Sequence, residues 1–181
     1  MMPKREKTIK EEKIKVYTKD EVKKLSDYLQ SKTDTYRNEY DKTLVRFLFY
    51  TGCRIGEVLA LNWSDIDFDE KTVTICKTLS QTKHGYKISS PKTETSNGTI
   101  SIDDVTLNYL KKWRTNQKKF MLHVGITNPE MVFCGIYKQI VTHHATYVRL
   151  QTITGKAGVP FLGNHVTRHT HASLLLVQEL P

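Results

Sequence analysis

Four basic side chains stand where they could handle a phosphate or a proton: Arg54 in "TGCRIGE", Lys92 in "SSPKTETSNG", and His165 with Arg168 in "NHVTRHTHAS". Arginine offers a planar fork of N–H donors matched to paired oxygens, lysine a mobile ammonium, and histidine a ring that trades protons near neutral pH. Together these types suit the binding and protonation of an oxyanion. Arg54 follows a helix break at Thr51 and Gly52 and opens an apolar helical segment, a place where the helix dipole favours acids over a cation. Glu57, three residues on and on the same face, is its candidate partner. That pair on its own could be purely structural. Lys92, on a polar hairpin tip, could be a solvated charge, a general acid or a phosphate contact.

The histidine cluster invites a metal reading, which the spacing does not support. His165 and His169 are four residues apart, as in a zinc helix, but no glutamate follows His165, and His171 lies about 200° around the helix from His169. No metal is therefore expected from the spacing. If a helix begins near Asn164, His165 and Arg168 project to one side, while His169 and His171 point elsewhere and support the helix.

The surroundings favour an anionic partner. Lysine and arginine outnumber the acids by 28 to 19, a formal charge of +9 that attracts polyanions, nucleic acid above all. Cys53, Cys76 and Cys134 are odd in number and widely spaced, which suggests neither a disulfide framework nor a cysteine zinc site and fits a reducing cytoplasm. The apolar runs at 44–50 and 173–177 fall far short of the ~20 residues of a membrane span. The opening "MMPKREKTIKEEKIKVY" is charged with no apolar stretch after it, so no secretion signal is expected.

The elements that must position these groups are legible in outline. Residues 1–15 read as a flexible charged arm or linker remnant, and the domain runs over 16–181. Thr18 or Asp20 caps a helix with Val22, Leu25 and Leu29 on one face, and a second helix over 35–50 turns Tyr40, Leu44, Phe47 and Leu48 inward. "CRIGEVLALNW" resumes the helical period. Alternation and β-branched residues then predict one small antiparallel sheet over 65–102, its last two strands joined by the "PKTETSNG" hairpin. Asp103 or Asp104 caps a long helix with Val105, Tyr109, Trp113 and Phe120 on its inner stripe. "NPEMVFC" reads as a turn and short strand, and two more helices follow, one capped at Thr142 and one through "HVTRHTHASLLLVQEL". The class is α+β, mostly helical.

Taken in order and at these separations, "TGCRIGEVLALNWSDID", "PKTETSNGTISI" and "HVTRHTHASLLL" resemble the arginine, lysine and histidine-x-x-arginine boxes of the tyrosine recombinases, closest to integrases of Gram-positive phages and conjugative transposons. The resemblance covers about Val16 to Leu180. It implies the catalytic-domain fold of that family and strand exchange on duplex DNA through a phosphotyrosine intermediate, with no metal or nucleotide cofactor. In it, Arg54 and Arg168 match the clamp on the scissile phosphate, and Glu57 the acid that supports the arginine box. Lys92 matches the hairpin lysine that protonates the leaving oxygen, and His165 the histidine that orients the attack or accepts its proton. "VTHHATYVRL" matches the region that enters the major groove, with His144, Tyr147 and Arg149 as DNA-binding candidates.

The chain departs from the family in lacking the upstream DNA-clamping domain, the "G-H" or tryptophan element after the histidine and arginine box, and the nucleophile. All nine tyrosines precede His165, so none stands where the nucleophile is expected. Two readings compete: a fragment of an integrase, inactive for cleavage and monomeric where the full protein forms a tetramer on DNA, or a non-enzymatic DNA-binding or regulatory module on the same fold. The apolar "SLLLV" near the end favours the fragment, because those side chains call for a packing partner.

Overall fold

The computed structural model describes residues 15–90, 98–137 and 139–178. Residues 1–14 of the expected arm, Lys92 and the rest of "PKTETSN" lie outside them. Six helices run in chain order: α1 (Lys19–Gln30), α2 (Tyr36–Thr51), α3 (Ile55–Leu59), α4 (Asp104–His123), α5 (His143–Lys156) and α6 (Val166–Gln178). Between α3 and α4 come a single 3-10 turn at Trp63–Asp65 and the strands β1 (Ile66–Asp67), β2 (Thr72–Ile75), β3 (Thr78–Thr82), β4 (Gly85–Ser89) and β5 (Gly98–Ser101). The mostly helical α+β expectation holds.

α1, α4 and α5 each start at a side-chain cap that is among the candidates the sequence offers. Thr18 and Glu21 form a reciprocal capping box on α1, Asp103 accepts from Thr106 N–H on α4, and Thr142 accepts from Ala145 N–H on α5. At the C-terminus of α2, Gly52 adopts φ +63°, a left-handed cap that glycine reaches at no steric cost.

α2 is the hub of the core. Tyr40, Leu44, Phe47 and Leu48 are buried as expected, and so are Val45 and Phe49, so α2 is buried nearly all round. Its first turns also bury Glu39, Asp41 and Lys42, which a helix tolerates only if each charge is paired. They are. Lys42 Nζ reaches Asp34 at 2.8 Å and Glu39 at 3.2 Å, while Lys112 on α4 reaches the same two carboxylates at 2.8 Å and 3.3 Å.

Hydrogen bonds from Lys112 and then Lys42 hold the Asp34 carboxyl well below the usual carboxylate range. A depressed folded-state pKa contributes stability that is present above roughly pH 4 and lost as pH falls through the folded value. The unfolding midpoint should thus drop with acid below about pH 4, and Asp34→Asn should flatten that dependence. An unchanged acid limb in Asp34→Asn would remove this network from the account.

α4 corrects one sequence expectation. Trp113 is fully buried, but Val105 is 51% exposed, and the inner stripe is Thr106, Leu107, Leu110, Trp113, Gln117 and Met121. Two polar residues lie on the inner face because both find partners there. Thr106 Oγ1 bonds Asp103 and Arg46, and Gln117 accepts from Trp63 Nε1 at 2.7 Å and donates to the Met131 and Val132 carbonyls at 3.1 Å. A pattern search that counts only apolar side chains rotates the face by about one residue.

The sheet also differs from expectation. β1, β2 and β5 form a three-stranded antiparallel sheet, with Val73 opposite both Ile66 and Ile100, whereas β3 and β4 form a separate two-stranded hairpin. β4 and β5 do not pair, so the strands on either side of Lys92 belong to different sheets rather than to one hairpin. "NPEMVFC" forms isolated bridges, Asn62 with Met131 and Cys134 with Ile140, instead of a strand. The third helix is shorter than its periodicity suggests, stopping at Leu59 before the 3-10 turn.

Early and late parts of the chain meet. The Tyr17 backbone N–H donates to Thr170 Oγ1 at 3.0 Å, and the Tyr17 hydroxyl accepts from Leu162 N–H at 3.1 Å. α6 packs on α2 but leaves Leu175 at 48% and Leu176 at 65% exposure. No helix among the described residues is long and apolar enough to cross a membrane.

Candidate functional site

The site is built on the turn from Gly52 to Arg54, between α2 and α3. Arg54 is the N-cap residue of α3, and Glu57 holds it twice: one carboxylate oxygen accepts from the Arg54 backbone N–H at 2.8 Å, the other from guanidinium Nη1 at 2.9 Å. Glu57 thereby does what the dipole argument requires, placing its negative charge at the helix start while restraining the arginine. The side chain of Glu57 is 7% exposed and that of Arg54 53%, so the acid is enclosed and the guanidinium keeps most of its donors outward.

α3 lies tightly against β3 because residue 56 is glycine. A Cβ there would stand 2.8 Å from the Leu79 carbonyl oxygen, 2.8 Å from Thr78 Oγ1 and 3.2 Å from His143 Nε2. Backbone cannot yield to such a contact cheaply.

Arg168, in the first turns of α6, donates from Nη1 to the Gly52 carbonyl at 2.9 Å across 116 positions of sequence. That bond sets a second cation at the negative end of α2, and it brings Arg168 to within two residues of Arg54 along the turn. His165 sits exposed in the turn immediately before α6. The preceding Asn164 has its carbonyl bonded by Thr167 Oγ1 at 3.1 Å and its own Oδ1 buried without a partner. Arg54, Glu57 and Arg168 thus meet around one helix end, with His165 three residues before Arg168 in the chain. Burial pushes the Cys53 thiol, between Gly52 and Arg54, up to about 11, so a neutral group separates the cations.

His171 departs from expectation. Three residues after Arg168, it does not point elsewhere: its ring Nδ1 donates to the Phe49 carbonyl at 3.0 Å, at the same end of α2. Sequence reading also passed over His143, the first residue of α5, whose ring lies 6.3 Å from that of Tyr86 and whose Nε2 is buried without a partner. The "HH" pair offers no signal as to which ring faces inward. Among the described residues, no group of three or more histidine, cysteine, aspartate and glutamate side chains gathers as a metal would need.

The second expected region is α5. His144 is exposed, and Tyr147 is 41% exposed with its ring edge-on to Phe161 at 4.7 Å, so both stand on the outer face beside Val148. Arg149 turns inward instead. Its Nε pairs with buried Asp41, its Nη2 donates to the Arg37 carbonyl, and its guanidinium lies over the Tyr40 ring. A buried carboxylate needs a cation, and α5 supplies it.

Fold and site together define a mostly helical α+β domain with two arginines at one helix end, and comparison with known proteins assigns its class. The phage integrase family matches residues 15–181. The chain belongs to this family, the tyrosine recombinases. It is 28% identical to a XerC-like tyrosine recombinase of Caldanaerobacter subterraneus subsp. tengcongensis over 94% of the chain and 46% of that relative. It is likewise 28% identical to the ICEBs1 integrase of Bacillus subtilis over 76% of the chain and 38% of that protein. The chain therefore spans less than half the length of these relatives. Among solved structures, the Tn1549 transposon integrase in complex with transposon right end DNA superposes with a TM-score of 0.74 at 20% identity, over 94% of this chain and 56% of that one. That likeness confirms the catalytic-domain fold.

Proposed function

We propose that this chain is the phosphate-binding part of a site-specific DNA recombinase whose parent protein cuts and rejoins duplex DNA through a phosphotyrosine intermediate. The observation that carries this reading is the meeting of Arg168 with the Gly52–Arg54 turn. Two guanidinium groups converge on this turn, each spending one Nη1 donor within the fold, on Glu57 and on the Gly52 carbonyl, and leaving others for a ligand. Such a pair grips the non-bridging oxygens of a phosphodiester and stabilises the charge that builds up as phosphorus is attacked. Glu57 holds Arg54 in place, and exposed His165 orients the attacking hydroxyl or takes its proton. Lys92 would protonate the departing oxygen. α5 and α6 carry no aspartate or glutamate, which suits surfaces laid against a polyanion. His144 and Tyr147 are the α5 residues we assign to DNA, while Arg149 acts by fixing α5 to α2.

The 181-residue chain should bind duplex DNA with an affinity that falls steeply with salt, each neutralised phosphate adding about −0.9 to the slope of log K against log salt concentration. It should form no covalent adduct with a nicked attachment-type duplex, because none of its tyrosines follows His165. Binding by fluorescence anisotropy from low to physiological salt, with denaturing gels for adducts, tests both. A salt-independent affinity or a gel-stable adduct would contradict the reading.

A further inference from the structure

We propose that His171 is a positioning residue for Arg54. Its imidazole locks the end of α2 against α6 and so sets the distance between the two arginines. The inference rests on the phosphate-clamp reading above and adds to it a residue outside the clamp.

Three contacts carry it. The ring Nδ1 donates to the Phe49 carbonyl, one of the last-turn carbonyls of α2 that have no partner within the helix. The ring edge lies on Gly52: a Cβ built there would come within 2.6 Å of His171 Cδ2. Gly52 is also the residue whose carbonyl receives Arg168. His171 and Arg168 are three residues apart on α6, so one helix face grips one turn at two points, polar at Phe49 and Gly52 and steric at Gly52. Arg54 begins two residues beyond that grip. Thr51 adds a third tie from within α2, its hydroxyl donating to the Phe47 carbonyl at 2.7 Å and accepting from Cys53 N–H at 3.3 Å.

The ring is not simply core filling. His171 is half-buried and lines a cleft of about 700 Å³ between α1, α2 and α6, together with Phe49, Tyr50 and Leu174. A residue retained for bulk alone would have no need of a donor aimed at Phe49. One retained for position needs both the donor and the flat edge against Gly52. The arrangement also explains why Gly52 must remain glycine for two reasons, its left-handed backbone and the absence of a side chain under the ring.

The test separates donor from bulk, with inorganic phosphate as the probe. Phosphate is titrated into isotope-labelled protein, and the Arg54 and Arg168 Nε–H signals are followed. His171→Asn keeps an N–H at the position of Nδ1, and His171→Phe keeps a ring without it. Expected results are phosphate affinity within about twofold of wild type for His171→Asn, about tenfold weaker for His171→Phe, and under about twofold further loss when His171→Phe is added to Arg54→Ala.

Equal affinity in wild type and His171→Phe, failure of His171→Asn to restore it, or the same tenfold loss in the Arg54→Ala background would each overturn the proposal. Should His171→Phe fail to fold, His171→Ser replaces it, being too short to reach Phe49 and adding no bulk at Gly52; wild-type affinity there would also overturn the proposal. Undiminished phosphate affinity in both Arg54→Ala and Arg168→Ala removes the clamp reading itself, an outcome distinct from a failure of His171 alone.

Discussion

Arg168→Ala should weaken binding of duplex DNA by roughly 10- to 100-fold at low salt while leaving a folded protein. A hydrogen bond to a charged group contributes about 1.5–3 kcal/mol, and each 1.4 kcal/mol is about a factor of ten. Arg168 spends one donor on the Gly52 carbonyl and holds the remainder at an exposed position. The loss should therefore fall on the ligand more than on the fold. Arg168→Lys separates charge from geometry. A lysine retains the cation but not the planar fork, so it should recover the general salt-dependent attraction and little of the bidentate grip. Anisotropy titrations at two salt concentrations, with thermal unfolding as the control, read all three proteins. An Arg168→Ala chain that binds like wild type with an unchanged unfolding midpoint would remove Arg168 from the clamp.

The largest effect on stability is expected at Trp113. Its side chain is fully buried, its Nε1 donates to the Val132 carbonyl at 2.8 Å, and its ring meets those of Tyr36 at 5.0 Å and Tyr40 at 5.6 Å. Trp113→Ala removes apolar area, leaves a cavity and strips a donor from a buried carbonyl. The expected cost is about 3–5 kcal/mol, a large part of the 5–15 kcal/mol typical of a domain. Val105→Ala on the same helix should stay within about 0.5 kcal/mol, because Val105 faces solvent. Denaturant midpoints with an unchanged m-value measure both. Comparable losses at the two positions would mean that α4 presents the face suggested by apolar spacing alone, instead of the one through Gln117.

That contrast shows where sequence reading works and where it stops. Starts of helices were legible because a cap acts over three residues: Thr18 with Glu21, Asp103 with Thr106, Thr142 with Ala145. The Arg54–Glu57 pair was legible for the same reason, being an i, i+3 contact. The inner face of α4 was misjudged since Thr106 and Gln117 are polar by type and core by partnership, and their partners are Arg46, Trp63 and the 131–132 backbone. The split of the strands into two sheets was hidden because alternation identifies a strand but not its neighbour.

The chain's own order of residues determined its family, its positive charge, the boundaries of its helices other than α3 to within a residue or two, and the identity of Arg54, Glu57, His165 and Arg168 as the groups to watch. Only the tertiary structure decided which partners the other polar residues meet. Arg149, a candidate for DNA from its place on α5, is bound to Asp41 across 108 positions, and His171, an expected bystander, reaches Phe49 across 122. The physical reason is range. Caps, turns and hydrophobic periods are settled by neighbours a few residues away. Whether a cation faces solvent or a buried carboxylate depends on the packing of helices that meet only after the chain has folded.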